Sequence, residues 1–335
     1  MADTAHPQPW GIAPSDALIT QLLTTPGSAA YAQLRDVIDL TSGVIYLGAQ
    51  RFHPARAAAE QSQTGYLDPL VAAQALLSRL PQATALVSTS PDVEHPYNYA
   101  RRTASLDHFT QGRIGVVLGS RDHRIDHLGT PGTAWTTQPT GAELTEEFGT
   151  VLRKLWNSWP RESILADKDQ GRYADSSLIK EIAHSGHYRV AGPLSSFSSV
   201  QGEPPLGWHL SLGDSELPHT QQAELLITHG QDVAEPPGQT AEREDLLLAE
   251  LVDPQQLTTA QSTWSSNTDG FLVAVEDLEQ LPAVIAALSG MAEIGEYHQP
   301  AACGTLRQRL GLVPRRYDLT EMPRAFASTA QVAGF

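Results

Sequence analysis

The sequence predicts a parallel α/β protein with its helices packed outside the sheet. Three observations carry this expectation. Short runs that are apolar on both faces recur along the chain, as in strands buried on both sides. Segments with apolar residues at helical spacing lie between them. The two kinds alternate for most of the chain, which implies βα units rather than an antiparallel meander. A closed β/α barrel and a doubly wound open sheet both satisfy this pattern. No internal repeat is visible.

Residues 1–27 are rich in Pro, Gly, Thr and Ala and read as an irregular terminal segment. Within them Asp16–Leu23 reads as a short helix capped by Ser15. Gly43–Gly48 is an apolar run bounded by glycines, the mark of a buried strand. Leu67–Leu80 places Leu70, Ala73, Leu76, Leu77 and Leu80 at helical spacing, and the strand candidate Ala83–Ser88 follows. Asn98–Phe109 is the next helix and Gly115–Gly119 the next strand. Thr145–Trp156 is an amphipathic helix with Phe148, Leu152 and Trp156 on one face. Strand-like runs recur at Tyr188–Val190, Trp208–Leu212 and Leu225–Thr228. The region 229–267 breaks the rhythm: Gly230–Thr240 reads as a loop and Ala241–Leu251 as an acidic helix. Phe271–Val275 is the last strand, Leu278–Ile294 is helical, and residues 314–335 form an irregular tail.

The chain has 335 residues, enough for about two average domains or one large single-core fold. Its formal charge is 22 − 38 = −16. That argues against a nucleic-acid partner, which calls for a basic face, and against an anionic membrane surface. The single cysteine, Cys303, excludes an intrachain disulfide and a cysteine-rich zinc site, and reads as a small buried hydrophobe. No basic region followed by an apolar run opens the chain, and no apolar stretch is long enough to span a bilayer. A cytoplasmic location is the simplest expectation.

Local motifs are sparse. There is no glycine-rich dinucleotide fingerprint, phosphate-cradling loop, helical His-Glu-x-x-His pair or Gly-x-Ser-x-Gly elbow. His123 and His127, beside Asp122 and Asp126, could share a helix face and hold a metal, but the segment reads more simply as a solvated loop. His184 and His187 fall in a turn before a strand and suit a surface or capping role. An ion pair with Asp107 is the plain reading of one of Arg101, Arg102 and Arg113. Gly213-Asp214-Ser215-Glu216 follows a strand and enters a helix, which suits either an anion site or an ordinary N-cap. Ser88-Thr89-Ser90 ends another strand and offers hydroxyls to a ligand or to a plain turn.

The string Ala100-Arg101-Arg102-Thr103-Ala104-Ser105-Leu106-Asp107, continuing through Gly112-Arg113, resembles a signature of bacterial luciferase-like flavin monooxygenases. Its nearest branch holds the nitrilotriacetate and dibenzothiophene-sulfone monooxygenases. Further collinear blocks are similar to that branch: Leu67–Leu70, Val87–Ser90 with Pro96-Tyr97, Leu155–Trp159, His184–Leu194, Gln201-Gly202, Asp269–Phe271 and Thr305–Leu312. The resemblance implies a single TIM-type (β/α)8 barrel domain over residues 1–335. It also implies a reaction in which reduced FMN, supplied by a separate NAD(P)H-dependent flavin reductase, uses O2 to oxygenate a small organic substrate. It carries Thr89, Gly213 and Ser215 over as flavin-binding residues and suggests a homodimer. It supplies no catalytic side chain, since the cofactor reacts.

Several positions depart from the family pattern. The acid near the flavin ring is replaced by Ala49, and a Trp-Asn pair by Val116-Val117. A His and a Tyr that help hold the phosphate correspond to Gln138 and Ala142, and Asp214 adds a negative charge nearby. The chain is short between Thr228 and Asn267, which predicts a missing or degenerate βα unit and fewer than eight strands. Two readings follow: a working monooxygenase with a remodelled flavin site, or a non-catalytic barrel that has lost FMN and serves as a binding or accessory subunit.

Overall fold

The computed structural model describes residues 8–25, 29–61, 67–125, 141–210, 223–229, 247–259, 268–293 and 304–326. The chain begins with β1 (Gln8–Pro14), β2 (Val44–Leu47), β3 (Thr84–Thr89) and β4 (Ile114–Leu118). Two small antiparallel hairpins follow, β5 (Ile164–Asp167) with β6 (Arg172–Ala174), and β7 (His184–Ser185) with β8 (Arg189–Val190). The sheet resumes with β9 (Leu206–Leu210), β10 (Leu225–His229), β11 (Leu247–Val252) and β12 (Gly270–Val275). Eight of these strands close a barrel in the order β1-β12-β11-β10-β9-β4-β3-β2, and β2 pairs back onto β1. All barrel pairings are parallel. Helices α1 (Asp16–Thr24), α2 (Ala29–Asp39), α3 (Pro54–Gln61), α4 (Pro69–Leu77), α5 (Pro96–Thr110) and α6 (Ala142–Ser158) accompany the first half. Helices α7 (Pro254–Thr259), α8 (Leu281–Glu293) and α9 (Leu306–Arg309) accompany the second.

The barrel is therefore of the TIM type and complete, which corrects the expectation of a missing unit. Two strands were hidden. β1 lies in the segment 1–27 that reads as irregular. Its prolines look like loop chemistry, yet it pairs with β12 and β2 on its two sides. A Cβ at Gly11 would sit 1.8 Å from the Val44 carbonyl oxygen, so glycine is what lets β2 approach there. β11 falls where an acidic helix was expected over Ala241–Leu251. Leu, Ala and Glu favour helix, but pairing with β10 and β12 overrides that weak preference. The run Tyr188–Val190 is the reverse case: its β8 belongs to a surface hairpin, not the barrel.

Strand alternation divides the core in two. Trp10, Tyr46, Leu86, Val117, Ile227, Leu251 and Leu272 pack together within the lumen. Ile45, Val87, Val116, Leu206, Trp208 and Val273 pack outward against helix residues such as Leu76, Phe148, Leu152 and Leu288. On α6, Trp156 is buried and its Nε1 donates to the Thr103 hydroxyl at 3.2 Å, which fixes α6 against α5.

Leu306 and Leu310 join the lumen cluster from α9. Between them Arg307, 3% exposed, donates to Glu224 Oε2 at 2.9 Å, the Glu203 carbonyl at 3.0 Å and the Val313 carbonyl at 2.7 Å. The signature segment is likewise structural. Arg113 donates to the Leu77, Leu80 and Ala83 carbonyls, at 3.2, 3.1 and 2.9 Å. Arg102 pairs with Asp68 and Glu94. The expected ion pair at Asp107 is not formed by Arg101, Arg102 or Arg113. Asp107 instead accepts from the Ile114 N–H (3.1 Å), Gln201 Nε2 (2.9 Å) and the Ser199 hydroxyl. That arrangement joins the end of α5 to β4 through hydrogen bonds from uncharged donors.

Candidate active site

The C-terminal ends of the strands gather at one end of the barrel, where this fold collects its chemistry. Two connections bring most of the described polar groups there: the turn after β2 and the segment after β4.

Tyr46 on β2 reaches His209 on β9, hydroxyl to Nδ1, at 3.0 Å. Both side chains are buried. Burial pushes the Tyr46 hydroxyl well above its usual range, so it stays protonated. Burial, reinforced by His229, His53 and Arg56, pushes the His209 imidazole down to about 3. The ring of Phe52, from the turn after β2, lies 5.0 Å from the His209 ring. Phe52 also covers Gly119, where a Cβ would sit 2.3 Å from the ring.

Charged groups line the mouth on the side of β2–β4. Asp122 accepts from Arg124 Nε at 2.9 Å and Nη2 at 2.6 Å, and Arg51 Nη1 stands 3.7 Å away. Burial raises the Asp122 carboxyl, but the Arg124 hydrogen bonds and the Arg51 charge outweigh it and hold the group below its ordinary value. Asp92 accepts from the Asp122 N–H at 3.1 Å and from the Ser90 hydroxyl. Burial nevertheless pushes Asp92 up to about 6. On the side of β10–β12, Arg56 joins Asp253 (2.6 Å), Glu276 (3.4 Å) and His229 Nε2 (3.0 Å).

Thr89 ends β3 and is buried, and its hydroxyl has no hydrogen-bond partner among the described residues. Gln50, also buried, has neither amide atom partnered among the described residues. Buried polar atoms without partners are rare, and each calls for an explanation. Gly213, Ser215 and Gln138 lie outside the described residues. Ala49 follows β2 and is buried, so no acid faces the mouth from that position. Ala142 opens α6 and brings only a methyl group.

No group of three metal ligands occurs among the described residues. Asp122 is occupied by Arg124, and the His123 N–H donates to the Arg51 carbonyl at 2.9 Å. His127 and Asp126 lie outside the described residues. His184 Nε2 is 2.8 Å from Glu147 Oε1, and Glu147 accepts the backbone N–H groups of His187 and Tyr188 at 3.1 and 2.9 Å. Those contacts tie the β7–β8 hairpin to α6. Sequence reasoning missed Tyr46, Gln50, Arg51, Phe52 and His209. One signal was available: His209 is a titratable side chain inside an otherwise apolar strand.

No family model matches the chain. One of the subunits of pristinamycin IIA synthase from Streptomyces pristinaespiralis is 32% identical over 223 residues, 66% of this chain and 69% of that protein. The chain belongs to the luciferase-like monooxygenase family. N-acetyl-S-(2-succino)cysteine monooxygenase of Bacillus subtilis is 30% identical over 158 residues, 46% of this chain and 36% of that protein. Nitrilotriacetate monooxygenase component A of Aminobacter aminovorans is 33% identical over 165 residues, 48% of this chain and 36% of that protein. The match thus spans only about a third of the length of these two relatives. Among solved structures, DmoA from Hyphomicrobium sulfonivorans superposes with a TM-score of 0.65 at 16% identity, covering 91% of this chain and 92% of that one. That likeness is one of fold. No helix among the described residues is long and apolar enough to cross a membrane.

Proposed function

We propose that this chain is the oxygenase of a two-component system. It takes reduced FMN from a separate NAD(P)H-dependent flavin reductase and uses O2 to oxygenate a small organic substrate. The observation that carries this reading is the barrel mouth itself: neighbouring strands end in buried, unpartnered polar atoms on Gln50 and Thr89, in a chain of a monooxygenase family. Those atoms suit the polar edge of a flavin ring, which offers both donors and acceptors. Bound flavin supplies the activation of O2, which side chains alone do not provide. The chain's own part is to bind, orient and exclude water. Gln50 and Thr89 hold the ring edge, and Tyr46 and Phe52 form its apolar floor. Gly213 and Ser215, by family likeness, take the phosphate through backbone N–H groups and a hydroxyl. A homodimer in the cytoplasm completes the proposal.

A second reading has specific support. Ala49 and Val117 bring no polar group to the mouth, and Phe52 fills the space over Gly119. The pristinamycin relative, aligned over most of its own length, is named as one part of a synthase. On this reading the chain is a non-catalytic barrel that works with a catalytic partner. Titrating the purified protein with oxidised and reduced FMN, followed by flavin fluorescence, separates the two. Micromolar or tighter binding of either form is expected. No binding at millimolar FMN overturns the oxygenase reading and leaves the accessory one.

A further inference from the structure

Arg51 is a buried cation whose hydrogen-bonding capacity is left partly unused. It sits in the turn Ala49–Phe52 after β2 and is 3% exposed. Its Nη1 donates to the Ser88 carbonyl at 3.2 Å and stands 3.7 Å from Asp122. Its Nε and Nη2 are buried and have no hydrogen-bond partner among the described residues. A guanidinium stays protonated and has no accepting form, so both nitrogens are donors. Together they make one edge of the guanidinium plane, a fork of two parallel N–H groups that matches two adjacent acceptor atoms.

The facing acids do not fill that edge. Arg124 takes both Asp122 oxygens, at 2.9 and 2.6 Å, and stands 3.8 Å from Asp16. Glycine at position 48 puts no side chain against the edge: a Cβ there would lie 2.9 Å from Nε and 3.1 Å from Nη2. The turn itself is fastened, since the Arg51 N–H donates to the Gly48 carbonyl at 3.3 Å and the Arg51 carbonyl accepts from the His123 N–H at 2.9 Å. Gln50 precedes Arg51, and Thr89 follows Ser88. They bring the neighbouring unpartnered groups: an amide oxygen, an amide nitrogen and a hydroxyl.

This set of groups matches the pyrimidine side of a flavin ring. That side offers N1 and the C2 carbonyl as adjacent acceptors, then the N3 hydrogen as a donor and the C4 carbonyl as an acceptor. Reduction by two electrons, with uptake of one proton at N5, leaves a negative charge shared by N1 and the C2 oxygen. The oxidised ring has the same acceptors without the charge. A buried cation, poorly screened by water, tells the two forms apart.

We propose that Arg51 pairs with the N1–C2 carbonyl edge of FMN and makes the mouth selective for the reduced, anionic form. This rests on the flavin-binding reading and adds to it the residue that sets the redox preference.

The test titrates the full chain with oxidised FMN and, anaerobically, with reduced FMN. Phosphate contacts serve both forms alike, so the ratio of the two dissociation constants reports on the ring. The reduced form is expected to bind at least about tenfold more tightly, which raises the two-electron potential of the bound flavin by about 30 mV or more. Arg51→Met should abolish the preference, and Arg51→Lys, which keeps the charge but not the fork, should retain a smaller one. On the acid side of neutrality, where free reduced flavin carries a proton on N1, the bound ring is expected to keep the absorbance of the anion. The inference is overturned by equal affinities for the two forms, by a preference that survives Arg51→Met, or by the absorbance of a neutral reduced ring. The wild-type ratio and spectrum decide even where Arg51→Met fails to fold. Binding of both forms without preference overturns this inference alone. No binding of either form overturns the oxygenase reading and this inference with it.

Discussion

Gly119→Ala tests the packing of the barrel mouth. The added methyl carbon would lie 2.3, 2.4 and 2.8 Å from three carbons of the Phe52 ring. Unstrained carbons stay about 3.5–4.0 Å apart, so the ring has to retreat by about 1 Å. Phe52 is fully buried, with the His209 ring 5.0 Å from its own, so there is little room to retreat. Overpacking of this kind costs about 1–3 kcal/mol. Phe52→Ala alone removes the ring and costs about 3–5 kcal/mol. In that background the Gly119 methyl enters vacated space, and its cost should fall to about zero. The double-mutant coupling should thus nearly equal the whole Gly119→Ala penalty. Urea unfolding of the four proteins, with slopes compared to check two-state behaviour, measures it. Strictly additive costs would refute the placement of Phe52 on Gly119.

Arg307→Met strands the buried Glu224 carboxylate and the Glu203 and Val313 carbonyls, and should cost about 3–5 kcal/mol in denaturant unfolding. Adding Glu224→Leu should recover most of that, and a single-mutant loss below about 1 kcal/mol would show that the pair does not anchor α9. Asp92 rises from 3.8 to about 6 on folding, so its contribution is full below its unfolded value and is lost as pH climbs through about 6. Asp92→Asn should therefore gain on the wild type between about pH 4 and 7, by up to about 3 kcal/mol, whereas a pH-independent difference would contradict the shift. If Ser215 holds the FMN phosphate, Ser215→Ala should weaken FMN binding through loss of a charge-assisted hydrogen bond, and unchanged affinity would remove it from the site.

Much of the fold was legible because strands buried on both faces announce themselves. Val44–Leu47, Thr84–Thr89, Ile114–Leu118 and Gly270–Val275 are such runs, and each lies where the pattern placed a strand. β1 and β11 escaped for opposite reasons. Pro9, Gly11 and Pro14 carry turn chemistry in a strand held by its neighbours, and Leu247–Leu251 carries helix formers in a strand held the same way. The candidate site was less legible. Thr89 was named because its block is local and family-like. Tyr46 and His209 are 163 residues apart, and nothing local links a tyrosine in one apolar run to a histidine in another. The arginine pattern misled at Asp107, because charge spacing along a helix does not reveal that Ser199 and Gln201 arrive from a distant loop.

The central claim is that the C-terminal mouth of this barrel binds reduced flavin. Hydrogen–deuterium exchange, run anaerobically with and without reduced FMN, tests it most directly. Protection is expected in peptides covering Gly48–Phe52 and Val87–Asp92, the stretches that hold Gln50 and Thr89. Unchanged exchange there, or protection confined to Thr305–Leu312 around α9, would contradict the account.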